Sequence, residues 1–251
     1  NDVRDENDTY GVTQGTGTSI NAWLWAFDNS VCKMNTAEGK PEISVMTDKI
    51  DSIITSMYDF CFNTNGVYCD PKGQSGGSVA YVEEMFLGKR AIFSTQSLNM
   101  ATSEKMRNFD SDYGILPLPK WDKNQSKYMT MVGGHHTALA VPKTVSDTEF
   151  VGRIVEALSA ESWKIVTPTL YETALKTRYL RDSESKEVMD LIIEGTQFDF
   201  GTVYDNFKGF AFTLQRMMES DNKNFRSFYA QTQVNAKAQL KKTLKAFDKL
   251  G

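Results

Sequence analysis

The run FLGKRAIFSTQSLNMATSEKMRNFDSDYGILPLPK, residues 86–120, decides how the rest of this chain is read. A helix ends at Gly88, which stands where a helix takes a left-handed C′ residue. Arg90 to Ser94 then reads as a short buried strand, Thr95-Gln96-Ser97 as a polar loop, and the stretch after it as a second short helix. Tyr113 to Leu118 reads as another strand. Pro117 and Pro119 close it, because proline has no N–H to give to a ladder. The run holds no nucleophile in a recognisable setting, no pair of metal ligands and no glycine-rich phosphate loop. So regular a run with no chemistry in it points to architecture.

Upstream, the clearest helix is Asp48 to Asn63, where Ile50, Ile53, Ile54, Met57, Tyr58 and Cys61 recur at three and four; Asn65-Gly66 stops it. Ala22 to Met34 is apolar and aromatic and reads as a strand or hairpin feeding that helix. Before it, NDVRDENDTYG is polar and reads as a mid-chain loop of a processed or truncated chain. Pro71 to Ser78, PKGQSGGS, has linker composition. Ser78 to Leu87 is a short helix with Val79, Val82 and Phe86 inward.

Downstream, Tyr128 to Val132 and Thr137 to Val141 read as strands around Gly133-Gly134-His135-His136. Ser146 to Glu149 spells a capping box, and the helix behind it is expected to bury Phe150, Val151, Ile154, Val155 and Leu158. A helix near Ser185 to Glu194 stops at Gly195. The last helix, about Asn224 to Leu250, carries Phe225, Phe228, Tyr229, Ala236, Leu240, Leu244 and Phe247 on one face. Lys241, Lys242, Lys245 and Lys249 suit the negative end of its dipole. Helices alternating with short strands predict an α/β protein, with open sheets covered by helices.

The chain has 251 residues, enough for one large domain or two small ones with a real core. Lys plus Arg is 28 against 32 Asp plus Glu, a net charge of −4. Read along the sequence, the charges are mixed and form no basic stripe, so nucleic acid is not an expected partner. No run of 18 or more apolar residues offers a membrane span. Aromatics make up 12%. Several fall in apparent loops beside Asn, Gln and Thr, where ring faces stack on sugars and amides hydrogen-bond to them, although core packing is the ordinary use of a ring.

The sequence motifs of common chemistries are each incomplete. Gly15-Thr16-Gly17-Thr18-Ser19-Ile20 begins like a dinucleotide fingerprint, but Ile20 replaces the third glycine and no apolar strand precedes it. Gly88-Lys89 resembles the end of a phosphate loop, but Glu83 stands at the first glycine and Arg90 where Ser or Thr would bind magnesium. Ser75 and Ser78 make no G-x-S-x-G. Cys61, Cys69, His135 and His136 lack zinc-site spacing. Cys61 and Cys69 bracket a turn, and a disulfide between them stays open; with Cys32 the count is odd. Neither a metal nor a cofactor is expected.

The motif F-x-x-G-K-x-A-x-F, followed by a polar loop, a short helix and D-Y-G-I-L-P-L-P-K, resembles the extracellular solute-binding proteins of bacterial ABC importers, the family-1, sugar-binding type. The resemblance extends through A-L-A-V-P-K-T-V-S-D, E-A-L-S-A-E-S, T-P-T-L-Y-E-T-A-L-K-T-R-Y-L-R-D-S-E-S at residues 167–185, and the early Y-G-V-T and A-W-L-W-A-F-D-N. It covers nearly the whole chain, and the order of the motifs carries it.

The resemblance implies a type II periplasmic-binding-protein-like, two-lobe venus-flytrap fold, here mostly the C-terminal lobe plus the hinge-crossing segment. Residues 1–112 correspond to the first part of lobe two, 113–166 to a segment returning to lobe one, and 167–251 to the closing helices of lobe two. A typical member is longer by most of lobe one, and without that partner the return segment would expose apolar faces.

It further implies capture of a sugar or oligosaccharide between lobes and delivery to membrane permease subunits, without chemistry. The protein would act as a monomer, extracellular and lipid-anchored to the cytoplasmic membrane or periplasmic. Expected ligand contacts are Ser94, Thr95, Gln96 and Ser97 after the G-K-x-A-x-F strand, and Trp23 and Trp25 on one strand face. Gly133, Gly134 and His135 near the hinge and Tyr204, Asn206 and Phe207 in a late loop complete the set. The alternatives are a binding protein for a non-sugar solute and a carbohydrate-active enzyme or accessory domain.

Overall fold

The computed structural model describes residues 5, 7–69, 80–133, 139–170 and 183–249. Pro71 to Ser78, Gly134 to Ala138 and most of the 167–185 run, each read in the sequence, lie outside them. The chain divides into two compact units. The first comprises Asn1–Ser97, Pro117–Gly134 and Ile192–Gly251; the second comprises Leu98–Leu116 and His135–Leu191. These limits differ from the three segments expected from the resemblance: residues 117–134 of the expected crossing segment fall in the first unit, and 98–112 and 167–191 in the second.

The first unit opens with Tyr10–Gln14 (β1), a 3-10 turn at Thr18–Asn21 and the one-turn helix Ala22–Ala26 (α1). Cys32–Asn35 (β2) and Lys40–Ile43 (β3) form an antiparallel hairpin. Its turn is set by Asn35, whose Oδ1 accepts from the N–H groups of Ala37 and Glu38, and by Gly39 at φ +62°. Next come Ile50–Tyr58 (α2) with a π turn at Asp59–Asn63, Val67–Cys69 (β4), Ala80–Leu87 (α3) and Ala91–Ser94 (β5).

The three single strands make one parallel sheet in the order β4-β1-β5, with Val12 against both Val67 and Phe93. β1, at the centre, begins in the last two residues of the stretch read as a polar loop, Tyr10 and Gly11, and no strand is expected there from the sequence. Two of its three buried residues are Thr13 and Gln14, so no apolar signal marks it. The expected strand or hairpin at Ala22 to Met34 is a helix turn followed by the hairpin.

α2 behaves as its spacing predicts. Ile50, Ile53, Ile54 and Met57 are all buried, each contributing about 1.5–3 kcal/mol by removal from water. They join Trp25, Leu24, Phe207, Phe210, Leu214 and Phe225 in the main core. A smaller cluster of Tyr10, Tyr68, Met85 and Ala91 lies between the sheet and α3.

α3 ends in a Schellman arrangement: Arg90 N–H donates to Met85 O at 2.8 Å and Lys89 N–H to Phe86 O at 3.0 Å. The left-handed residue is Lys89, at φ 58°, rather than Gly88. Gly88 is needed for another reason: a Cβ there would lie 2.9 Å from Glu84 O. β5 is not fully buried as expected. It is an edge strand, and Ile92 and Phe93 are 70% and 52% exposed.

In the second unit, Glu104–Arg107 (α4) is capped by Ser103 Oγ, which accepts from Met106 N–H. Tyr113 to Leu118 joins no sheet, so the expected strand is absent. Back in the first unit, Thr130–Met131 (β6) does pair, in parallel, with Thr196–Gln197 (β7). Leu139 to Val141 forms no strand.

Thr148–Glu161 (α5) begins one residue later than the capping box requires: Asp147, not Ser146, is the N-cap, accepting from Phe150 N–H at 2.8 Å. Its apolar stripe is unburied, with Phe150 59%, Ile154 45% and Leu158 57% exposed. Trp163, Ile165 and Val166 in the following π turn are exposed too. The expected burial of α5 therefore fails.

Ser183–Glu194 (α6) runs from the second unit into the first, followed by Phe200–Val203 (α7), Thr213–Glu219 (α8) and Phe225–Phe247 (α9). Asn224 caps α9, and Phe225, Ala236 and Leu240 are buried as their spacing predicts. The exposed side of α9 also corrects the reading of the charges: it carries a basic stripe that the mixed sequence conceals.

Candidate functional site at the carboxyl edge of the parallel sheet

In an open parallel sheet ligands bind outside the carboxyl ends of the strands, where the loops leave the sheet. The relevant loops are residues 15–19, after β1, and 95–97, after β5. Thr13 and Ser94 are register partners at the ends of these neighbouring strands. Thr13 Oγ1 lies 3.6 Å from Met85 Sδ of α3, and a register partner in a parallel pair shares that face.

Gln14 fixes the first loop. Its side-chain Nε2 donates to Gly15 O at 2.8 Å, its Oε1 accepts from Trp23 Nε1 at 2.8 Å, and its backbone oxygen accepts from Tyr81 OH at 3.0 Å. A Cβ on Gly15 would stand 3.6 Å from Ser19 Oγ, Tyr81 OH and Val82 Cγ2, so Ser19 is tucked between the turn and the start of α3. Thr95 N–H donates to Thr13 O at 3.3 Å and ties the second loop to the first strand.

Three buried polar atoms at this edge, two on the loops and one on the last residue of β5, have no hydrogen-bond partner among the described residues: Ser19 Oγ, Gln96 Nε2 and Ser94 Oγ. A buried donor left unmade costs about 1–3 kcal/mol, so such atoms are expected where a ligand or ordered water completes them. No residue of 14–19 or 94–97 is charged. These two loops therefore offer neutral amides and hydroxyls.

Of the residues expected from the sequence, Ser94, Thr95, Gln96 and Ser97 stand together here. Trp23 and Trp25 do not share a strand face. They lie on α1, and both are in the core, Trp25 at 1% exposure. Trp23 packs between Phe27 and Phe60 at 5.7 and 5.5 Å, so neither ring is presented to a ligand. Phe207 is a buried core residue, and Tyr204 is partly exposed against Phe200 and Phe247. The side chain of Asn206 and all of Gly134 and His135 lie outside the described residues; Gly133 is exposed. Ser19 and Gln14 were missed, although the polar Gly15-to-Ser19 run had drawn notice as a failed nucleotide motif.

A second polar cluster is structural. Asp199, 4% exposed, accepts from Trp25 Nε1 at 3.0 Å and from the N–H groups of Val31 at 2.6 Å, Cys32 at 3.1 Å and Gly201 at 2.7 Å. Burial pushes its carboxyl up from the ordinary range, and the four N–H donors offset part of that rise. Burial, and next the neighbouring Asp199 charge, raise the Cys32 thiol to about 12. Cys32, Cys61 and Cys69 are all buried and none is in a disulfide, so no bridge closes the Cys61–Cys69 turn. Among the described residues no group of three or more His, Cys, Asp or Glu is placed to hold a metal, and no helix is long and apolar enough to cross a membrane.

These features define a mixed α/β protein with small parallel sheets. No protein-family model, curated protein or solved structure matches the chain.

Proposed function

We propose that the chain is the ligand-capturing lobe and crossing segment of a two-lobe, periplasmic-binding-protein-like solute-binding protein serving an ABC importer. The ligand is a sugar or oligosaccharide, held without chemistry and passed to permease subunits at the outer face of the cytoplasmic membrane. One observation carries this reading: buried Ser94 Oγ and Gln96 Nε2 lack partners at the carboxyl edge of the parallel sheet, on the loop where the motif resemblance puts ligand contacts. Sugar hydroxyls both donate and accept, so they complement an amide N–H and serine hydroxyls equally. The uncharged loops after β1 and β5 favour an uncharged ligand over a phosphate or carboxylate, whose burial needs a paired charge.

The test is a thermal-shift screen of the chain against mono- and oligosaccharides, with sugar phosphates and short peptides as controls. Binding to the folded form raises the melting temperature by mass action. A rise with a neutral sugar that Gln96→Ala abolishes supports the assignment. A rise only with charged solutes, or release of a shortened glycan, overturns it.

A further inference from the structure

The exposed side of α9 has no role in the sheet-edge site. The 23-residue helix holds Arg226, Lys237, Lys241, Lys242 and Lys245 and no Asp or Glu. With +5 on α9 and −4 on the whole chain, the remainder carries −9. Lys249 extends the basic run just beyond the helix. The five lysines are exposed, and Lys237, Lys241 and Lys245 stand four apart on the side away from buried Ala236 and Leu240. They form a row about 12 Å long at 1.5 Å per residue.

Arg226 is paired with Asp51, whereas none of the five lysines has a carboxylate partner among the described residues. The helix dipole accounts for cations in the last turn, but Lys237 and Lys241 lie upstream of it. Like charges four apart destabilise a helix, and this row contains two such pairs with no acid to relieve them. Val234, 72% exposed, lies in the middle of the same face.

We propose that this face of α9 docks the protein on an anionic lipid bilayer. Lysine ammoniums are compact point charges that suit a fluid layer of phosphodiester headgroups, and a straight row on a rigid helix lies flat on such a layer. Val234 adds a shallow apolar contact. The other polyanion, nucleic acid, is less well matched: Phe247, the ring beside Lys245, packs on Phe200 and Tyr204 rather than standing free to stack on bases. The proposal is independent of the sugar-binding reading.

The experiment is co-sedimentation of the full chain with vesicles of phosphatidylcholine alone and of phosphatidylcholine with phosphatidylglycerol. Binding is expected only to the anionic vesicles. It should weaken steeply as salt rises above about 0.15 M. The triple variant Lys237→Gln, Lys241→Gln, Lys245→Gln should bind at least about tenfold more weakly, since each lysine near such a surface is worth several-fold in affinity. Its melting temperature should not fall. Equal binding by the triple variant, equal binding to neutral vesicles, no binding to either, or tighter binding to a polynucleotide would each overturn the proposal.

Discussion

Trp25 Nε1 donates to Asp199 Oδ2 at 3.0 Å across 174 positions of sequence, and the same carboxylate oxygen accepts from Val31 N–H at 2.6 Å. One side chain thus joins α1, the entry to the hairpin and the turn into α7. Asp199→Ala leaves an indole and three backbone N–H groups buried without acceptors, and is expected to cost about 3–5 kcal/mol in denaturant unfolding. Asp199→Asn retains one acceptor oxygen but turns an amide toward N–H donors, and should cost roughly half as much. The pH dependence has a definite sign. Because burial raises the folded carboxyl above 3.8, the folded form holds its proton more tightly than the unfolded chain. The wild-type contribution is full below that value and falls as pH rises through the raised one. The stability gap between wild type and Asp199→Asn should therefore narrow on raising the pH from acid, then level off. A gap that widens would mean that the four N–H donors outweigh burial.

Gln96 and Ser94 should show the opposite balance, because they lack partners. Gln96→Met removes a buried amide with an unmade donor while keeping much of its bulk. The free protein is expected to gain about 1 kcal/mol, as functional polar groups are commonly held at a cost in stability. Ligand affinity should fall at least about tenfold, the loss of a hydrogen bond or two to a neutral ligand. Chemical denaturation of the free chain and titration calorimetry with the sugar found by screening measure the two quantities separately. A loss of stability in the free protein would show that the amide is already satisfied.

Which parts of the fold the sequence disclosed follows from the physics of each. α2 was plain because its apolar residues recur on one face and all are buried in a single core. α9 was plain because Phe225, Ala236 and Leu240 share its buried face, although Phe247, read on that face, is 42% exposed. β1 was not, because a central strand with buried Thr13 and Gln14 spells polar and its hydrogen bonds come from partners over 50 residues away. Tyr113 to Leu118 has the composition of a strand, but pairing is a tertiary fact that composition does not supply. At the site, the loop after β5 was legible through its motif, whereas Ser19 reaches the edge only through the β1 turn. Trp23 and Trp25 alternate in sequence, and alternation over three residues cannot separate a strand from one helical turn. Asp199 gave no signal, since a lone acid in a loop is ordinarily solvated.

The end of α3 offers a test of backbone strain. Lys89 adopts φ 58°, a left-handed conformation that glycine occupies without penalty. Lys89→Gly should stabilise the chain by about 0.5–1 kcal/mol. Gly88→Ala should destabilise it by a similar or larger amount, since the added Cβ would meet Glu84 O at 2.9 Å and backbone cannot easily give way. Thermal melts of both variants decide the matter. If the two substitutions act in the same direction, the left-handed residue is misassigned.

The apolar stripe of α5 should behave as surface. Phe150, Ile154 and Leu158 lie on one side of an amphipathic helix whose opposite side carries the Arg153–Glu149 pair, and all three are at least 45% exposed. Trp163, 74% exposed in the π turn that follows, adds another exposed apolar side chain to this segment. The chain is expected to bind a hydrophobic dye under native conditions and to associate as its concentration rises. Ile154→Glu with Leu158→Glu should lower both signals severalfold and change the unfolding free energy by no more than about 0.5 kcal/mol, the range for surface sites. A loss of several kcal/mol would instead place the stripe in a core, because burying two unpaired carboxylates is costly. Sedimentation velocity at two concentrations, with dye fluorescence on the same samples, separates an exposed stripe from a buried one.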